Sequence, residues 1–261
     1  MSQPWLRNRN HLFVLCNLRT DGRKASEIRR MRFQMGVVDR VAGSALVEMG
    51  LTAVLATVTG PTECIRRTDE LHDRAVLQVH FAAAPFCTAD RRHVPTNDRR
   101  FLEAARLVQR ALEASIFLHL YPRSLIQIHI TILSEDGGRL CAAINAASCA
   151  VVHAGLAVKD IVCACAAGGV DPVMVDLNRR EEMDNINMAC AMLPQRGTIV
   201  LSQCEARLPS REALDRVLET AMDGCRAVFA VMEAAIRENA TLQWSSKRGK
   251  AIVALSETNV V

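Results

Sequence analysis

The sequence predicts an α/β fold, on three observations. Short runs of alternating apolar and polar residues, broken by glycine, read as strands; two segments carry apolar residues at helical spacing; and strands followed by a helix occur in both halves of the 261 residues. Half of the residues are apolar, enough to bury one sizeable core or two small ones. No residue-level repeat accompanies the recurring theme.

Taken in order, residues 1–20 read as an extension ahead of the first domain. Strands are expected at 36–41, 45–49 and 53–58, separated at Gly43-Ser44 and Gly50, and together they form an antiparallel meander. After Gly60-Pro61 a polar stretch to Asp73 reads as a surface loop carrying Arg66 and Arg67. Residues 75–81 alternate again, with Leu77, Val79 and Phe81 on one face. Asp98 is placed to cap a helix whose apolar positions are Leu102, Ala105, Val108, Leu112, Ser115 and Ile116, running until Tyr121-Pro122. Ile126, Ile128, Ile130 and Ile132 alternate as a strand that ends at Asp136-Gly137-Gly138, and an alanine-rich helix follows to Gly155.

In the second half, strands are expected at 161–166, 173–176, 188–193 and 198–205. Ser210 then caps a long helix whose stripe is Leu214, Val217, Leu218, Ala221, Met222, Cys225, Val228, Phe229, Met232 and Ile236. From Ala240 a tail carries Lys247, Arg248 and Lys250. The chain thus divides at 1–20, 21–157, 158–239 and 240–261.

No run of about 18 or more apolar residues appears, and the N-terminus lacks the basic region and apolar core of a signal peptide. An intracellular protein with no membrane partner is expected. The ten cysteines sit singly in apolar or alanine-rich surroundings and read as reduced, buried thiols, with Cys163 and Cys165 on one strand face. Neither Cys-x-x-Cys nor His-x-x-x-His occurs, so no zinc site is expected. A net charge of +4 says little about partners, but arginine clusters at Arg66-Arg67, Arg91-Arg92 and Arg99-Arg100, and its planar fork suits phosphate. In the first turn of a helix Arg99 and Arg100 oppose the helix dipole, which favours an anion-binding role over a stabilising one.

A strand running into Gly137-Gly138 and then a helix directs unpaired N–H groups and the positive end of a dipole at one spot, a generic anion site. A plain turn that needs glycine for positive φ accounts for the same two residues. The pattern becomes specific only in order: Asp21-Gly22-Arg23, Gly43-Ser44-Ala45, Gly60-Pro61, Asp73-Arg74-Ala75-Val76-Leu77, Asp98-Arg99-Arg100, Pro122-Arg123-Ser124, Asp136-Gly137-Gly138, Asn145-Ala146-Ala147-Ser148, Cys163-Ala164-Cys165-Ala166-Ala167-Gly168 and Val175-Asp176-Leu177-Asn178. From Asp21 to Phe229 the chain resembles the RNase PH family, and within it the RNase PH-like ring subunits of the RNA exosome.

That resemblance implies an RNase PH fold (ribosomal protein S5 domain 2-like), with mixed sheets and packed helices in two subdomains, assembled into a ring around an RNA channel. Active members are phosphorolytic: inorganic phosphate attacks the last phosphodiester of an RNA 3′ end and releases a nucleoside diphosphate. Carried over by position, Arg99 and Arg100 match the RNA-contacting pair, Arg67 an arginine of the channel neck, and Asp176 the first of two active-site aspartates. Other positions depart from the pattern. Where active members follow the glycine pair with Ser or Thr and then a phosphate-gripping arginine, this chain reads Arg139-Leu140. Successive helix residues point about 100° apart, so Arg139 is aimed differently. Glu182 stands for the second aspartate and Asn187 for a further acid.

The resemblance therefore implies a structural, RNA-binding exosome ring subunit without catalysis of its own. Gly137, Gly138 and Arg139 would be the remnant of its phosphate site, and Asp176, Glu182, Leu140 and Asn187 that of its active site. Expected partners are RNA, other RNase PH-like ring subunits, S1/KH-type cap subunits and a separate hydrolytic exoribonuclease, in nucleus, nucleolus and cytoplasm. No cofactor is expected; Mg²⁺ and inorganic phosphate would serve only a chain that retained activity. Two alternatives stay open, an active phosphorolytic exoribonuclease and a free-standing RNase PH that matures tRNA 3′ ends.

Overall fold

The computed structural model describes residues 18–64, 70–88, 91, 98–169, 172–204 and 206–258, with side chains described as far as residue 245. Strands β1 (Met31–Met35), β2 (Gly43–Met49), β3 (Thr52–Glu63), β4 (Val76–Ala83) and β5 (Ser124–Ser134) form one sheet in the order β1-β2-β3-β5-β4. Its first three strands form an antiparallel meander, of which β2 and β3 fall where the glycine-broken alternation predicts strands. Helix α1 (Arg99–Ser115) then crosses over between β4 and β5, which pair in parallel. The second sheet, β7-β6-β8-β9, is built from β6 (Cys163–Gly168), β7 (Met174–Val175), β8 (Asn187–Leu193) and β9 (Thr198–Cys204), all antiparallel.

Helix α2 (Arg139–His153) packs on strands of both sheets, and every residue from Cys141 to Val151 is buried. A helix that is apolar all round belongs inside a core. Its alanines let strands come close: a Cβ placed on Gly43 would lie 2.3 Å from the Ala150 carbonyl oxygen. Asn145, wholly buried in this helix, is satisfied by Ala164, donating from Nδ2 at 2.9 Å and accepting the Ala164 N–H at 2.8 Å. Helix α4 (Arg211–Thr258) lies against the second sheet through Val217, Ala221, Cys225, Val228 and Met232. Cys163 and Cys165 share the face toward this helix: the Cys163 sulfur is 3.9 Å from that of Met232, and a Cβ on Gly224 would come within 2.7 Å of the Cys165 sulfur.

Several expectations need correction. The first strand is 31–35, not 36–41, because Gly36 takes positive φ and ends it. Strand β3 passes Gly60-Pro61 and reaches Glu63 through a register shift between Thr59 and Thr62, a bulge that accommodates the proline. Helix α1 stops at Ser115, since Ile116 bridges to Val158 and the Ser115 hydroxyl donates to Asp160 O. Leu102 and Leu214 are exposed, and Ala213 begins the buried stripe of α4. Residues 179–184 form a short helix, α3 (Arg179–Asp184), that periodicity did not reveal. The backbone past Ala240 continues α4 to Thr258. Nine cysteines are free among the described residues, six of them buried; Cys64 and Cys87 are half-buried and Cys204 is exposed.

Candidate functional site

The turn from β5 into α2 is built by two glycines that nothing larger can replace. Gly137 and Gly138 both have positive φ, and a Cβ on Gly137 would lie 2.6 Å from the Arg179 nitrogen, one on Gly138 2.8 Å from Arg29 Nη2. Gly138 is the N-cap of α2 and has no side chain to satisfy the first-turn N–H groups. Its own N–H donates to Glu182 Oε1 at 2.8 Å. The anion spot read from the sequence is thus engaged from within, by a carboxylate of α3.

Below the turn lies a buried ion pair. Asp176 is fully buried with φ 52°, and its carboxylate accepts the Arg29 backbone N–H (2.9 Å) and Nε (3.0 Å) on Oδ2 and Nη2 (2.7 Å) on Oδ1. The same guanidinium donates to Asp136 O at 2.8 Å, to Gly137 O at 3.3 Å and to Thr52 Oγ1 at 3.4 Å. Thr52 completes the clamp: its hydroxyl donates to Gly137 O and accepts the Asp136 N–H. Burial works against the Arg29 charge, but the Asp176 carboxylate outweighs it and holds the guanidinium above its ordinary range. Asp176 was expected in the active-site remnant, and here both its oxygens serve the Gly137-Gly138 turn from beneath.

The strand end beside Asp176 is fixed from the amino-terminal side. Arg19 is buried and donates to Val175 O (2.6 Å), Asp176 O (3.0 Å) and both oxygens of Glu181. Glu181 in turn closes a capping box on Asn178 at the start of α3. Asn178 Nδ2 donates to the Asp21 carboxylate; burial alone would raise that carboxyl, but Asn178 and Arg23 hold it below its ordinary range. The boundary expected at residue 20 therefore runs through a buried network.

The remaining residues sort by element. Leu140 packs against the core, so no cation replaces it at that position of the helix. Arg139 is half-exposed and pairs with Glu135 at 3.5 Å. Asn187, first residue of β8, donates to Glu182 Oε1 at 3.2 Å. Burial pushes the Glu182 carboxyl above its ordinary 4.5, against the Gly138 N–H and the charges of Arg29 and Arg139. Since β4 and β5 run parallel, their ends Ala83 and Ser134 lie at one end of the sheet, and Phe101 of α1 stacks on Phe81 there at 5.7 Å. The first turn of α1, with exposed Arg99 and Arg100, thus shares that end with the 136–138 turn; Asp98 caps it, and Arg99 pairs with Glu103. Arg67 lies outside the described residues.

A Mg²⁺ ion asks for near-octahedral oxygens and commonly one or two carboxylates. Both Asp176 oxygens accept from Arg29, while Glu182 accepts from Gly138 and Asn187 on Oε1 alone; among the described residues no group of three His, Cys, Asp or Glu is placed to hold a metal ion. Sequence reasoning missed Arg19, Arg29, Thr52 and Glu181. Only the Asn178-x-x-Glu181 spacing carried a readable signal, that of a capping box.

Two outcomes follow from the geometry. Arg29→Ala strands a buried carboxylate and should cost about 3–5 kcal/mol in urea unfolding; a loss below about 1 kcal/mol would contradict the clamp. Glu182 holds its proton to higher pH in the fold than in the unfolded chain, where it titrates near 4.5. The fold therefore gains stability from this group as pH falls through its raised value, fully so below 4.5, and loses that contribution as pH rises. Relative to Glu182→Gln, the wild type should gain stability from neutral pH down to that point; a flat difference would remove the buried-carboxylate assignment.

Comparison with known proteins agrees with this architecture. Residues 27–157 match the RNase PH family, described as the 3′ exoribonuclease family, domain 1. The chain is 40% identical over 225 residues to exosome complex component RRP41 of Homo sapiens, which covers 85% of this chain and 91% of that protein. It is 38% identical over 222 residues to exosome complex component Rrp41 of Thermococcus kodakarensis, covering 84% and 88%. In fold it is similar to the crystal structure of rice (Oryza sativa) Rrp46, with a TM-score of 0.73 at 24% identity over 84% of this chain and all of that one. The chain belongs to the RNase PH family.

Proposed function

We propose that this protein is a structural and RNA-binding subunit of the RNA exosome core ring, lining the RNA channel in 3′-to-5′ processing and degradation without catalysis of its own. The relatives named exosome components support membership of the ring. The observation that carries the absence of catalysis is the state of the phosphate spot: Glu182 occupies the Gly138 N–H, and the position of the gripping cation holds Leu140, partly buried against the core. An incoming phosphate would meet a carboxylate rather than a cation. In this reading RNA passes Arg67, Arg99 and Arg100; neighbouring RNase PH-like subunits and S1/KH-type caps complete the particle, and a separate hydrolytic exoribonuclease cuts the RNA. Nucleus, nucleolus and cytoplasm are the compartments that fit.

One observation favours the active alternative. Arg139 sits half-exposed at the rim, held only by its pairing with Glu135 among the contacts described, and is available to an anion. Phosphate-dependent release of nucleoside diphosphates separates the two. The assembled ring should show none above a phosphate-free control, with Mg²⁺ or Mn²⁺ supplied, because one missing charged contact costs about 10²–10³ in rate. Leu140→Arg should restore at most part of it, since Glu182 and Asn187 remain. Clear phosphorolysis by the unaltered chain would establish the enzyme instead.

Arginines that read only phosphates carry no base information, so their contribution should be electrostatic. Arg99→Glu with Arg100→Glu should weaken single-stranded RNA binding most at low salt, reducing the slope of log affinity against log salt by about 0.7 per lost phosphate contact. An unchanged slope would reduce the pair to a solvated helix end.

A further inference from the structure

Three large apolar side chains stand in solvent around the 136–138 turn. Leu51 is 73% exposed, Phe86 67% and Met183 72%. Each is next in sequence to a residue hydrogen-bonded to that turn or its entry: Thr52 to Gly137 O, Cys87 O to the Glu135 N–H, and Glu182 to the Gly138 N–H. Large apolar side chains left in solvent near one turn are candidates for a surface that binds something. Among the described aromatic residues only Phe86 and Trp244 have more than half of their surface exposed, and Trp244 lies far along α4.

Phe86 is also held in place. Ala84 N–H donates to Ile132 O at 2.9 Å, Cys87 N–H to Ala84 O at 3.0 Å, and Glu135 N–H to Cys87 O at 3.0 Å, so the backbone on either side of the ring is tied to the end of β5. A ring presented to water on a pinned turn loses little freedom when it takes a ligand. The surroundings carry both signs: Glu135 is the charge acting most strongly on neighbouring Cys87, Arg179 and Arg139 act against it, and Arg99 and Arg100 open the helix that follows this turn. A flat apolar face beside arginines suits an unpaired base and its phosphate, because every base has a π-face to stack and every nucleotide a charge to hold.

We propose that Phe86 is a stacking platform for one base of single-stranded RNA, with Leu51 and Met183 as the apolar rim around it. This rests on the RNA-binding reading above and adds to it a contact made with a base. The platform holds RNA beside the former phosphate site without using that site. Stacking tolerates any base, so it brings affinity without sequence preference.

The test uses the assembled ring, with oligouridine, oligoadenosine and an abasic ribose-phosphate oligomer of equal length, titrated at several salt concentrations. Phe86→Leu keeps an apolar side chain and removes the flat face. It should weaken both RNAs about tenfold and leave the abasic oligomer and the salt slope unchanged. Phe86→Trp should retain the affinity, with its fluorescence quenched on binding. Equal affinity of the wild type for RNA and the abasic oligomer, or of Phe86→Leu and wild type for RNA, overturns the platform. If the Arg99/Arg100 double variant still flattens the salt slope, the RNA-binding reading survives that result; a ring that binds no RNA overturns both. Loss of Phe86→Leu from the ring, seen as a smaller native mass, assigns the apolar rim to a protein neighbour and likewise overturns it.

Discussion

The buried pair of Arg29 and Asp176 is the contact on which the rest of the site depends. Two charges taken out of water cost several kcal/mol each unless every donor and acceptor finds a partner. Here all five guanidinium N–H groups have one: the two Asp176 oxygens, the carbonyls of Asp136 and Gly137, and the Thr52 hydroxyl. Those partners come from the first residue of β3, the β5–α2 turn and the residue after β7. One side chain thus joins the two sheets where the site is built. It also explains why Asp176 keeps positive φ, a conformation an aspartate tolerates only when its surroundings hold it there.

Around that pair, the N-terminus of α2 is met by a carboxylate of the chain itself. A helix N-terminus attracts negative charge whatever its source. Glutamate is one methylene longer than aspartate, and Glu182 uses its reach to take the Gly138 N–H, with Asn187 donating to the same oxygen. The carboxylate is half withdrawn from water, so it holds its proton more tightly than an exposed glutamate. Leu140, the second residue of α2, packs its side chain against the core. Glu182 and Asn187 thus satisfy the turn from within the fold, and Leu140 adds an apolar contact beside it.

The same chemistry of small side chains shapes the body of the molecule. Alanine and cysteine line α2 and β6, so helix and sheet approach closely enough for Asn145 to bond the Ala164 backbone from both ends of its amide. Cys149 shows the consequence for reactivity: burial pushes its thiol up to about 12, which leaves it protonated and a packing group.

The sequence by itself determined the α/β class, the meander, the β4–α1–β5 succession, the cap at Asp98 and the Gly137-Gly138 turn, because each rests on local periodicity or on backbone preferences of single residues. Leu140 and Glu182 were legible as departures only through the resemblance to the RNase PH family. What only the tertiary structure decided was the use of each charge. Asp176 matches an active-site aspartate through the family resemblance, and in space its carboxylate is bonded to Arg29, 147 residues away, which carries no local signal. Arg19 lies in what reads as an extension, yet it anchors Glu181, and α1 ends at Ser115 through a bridge to Val158. Local rules fix conformation within a few residues; ion pairs and bridges across the fold obey only proximity, and proximity exists only once the sheets have packed.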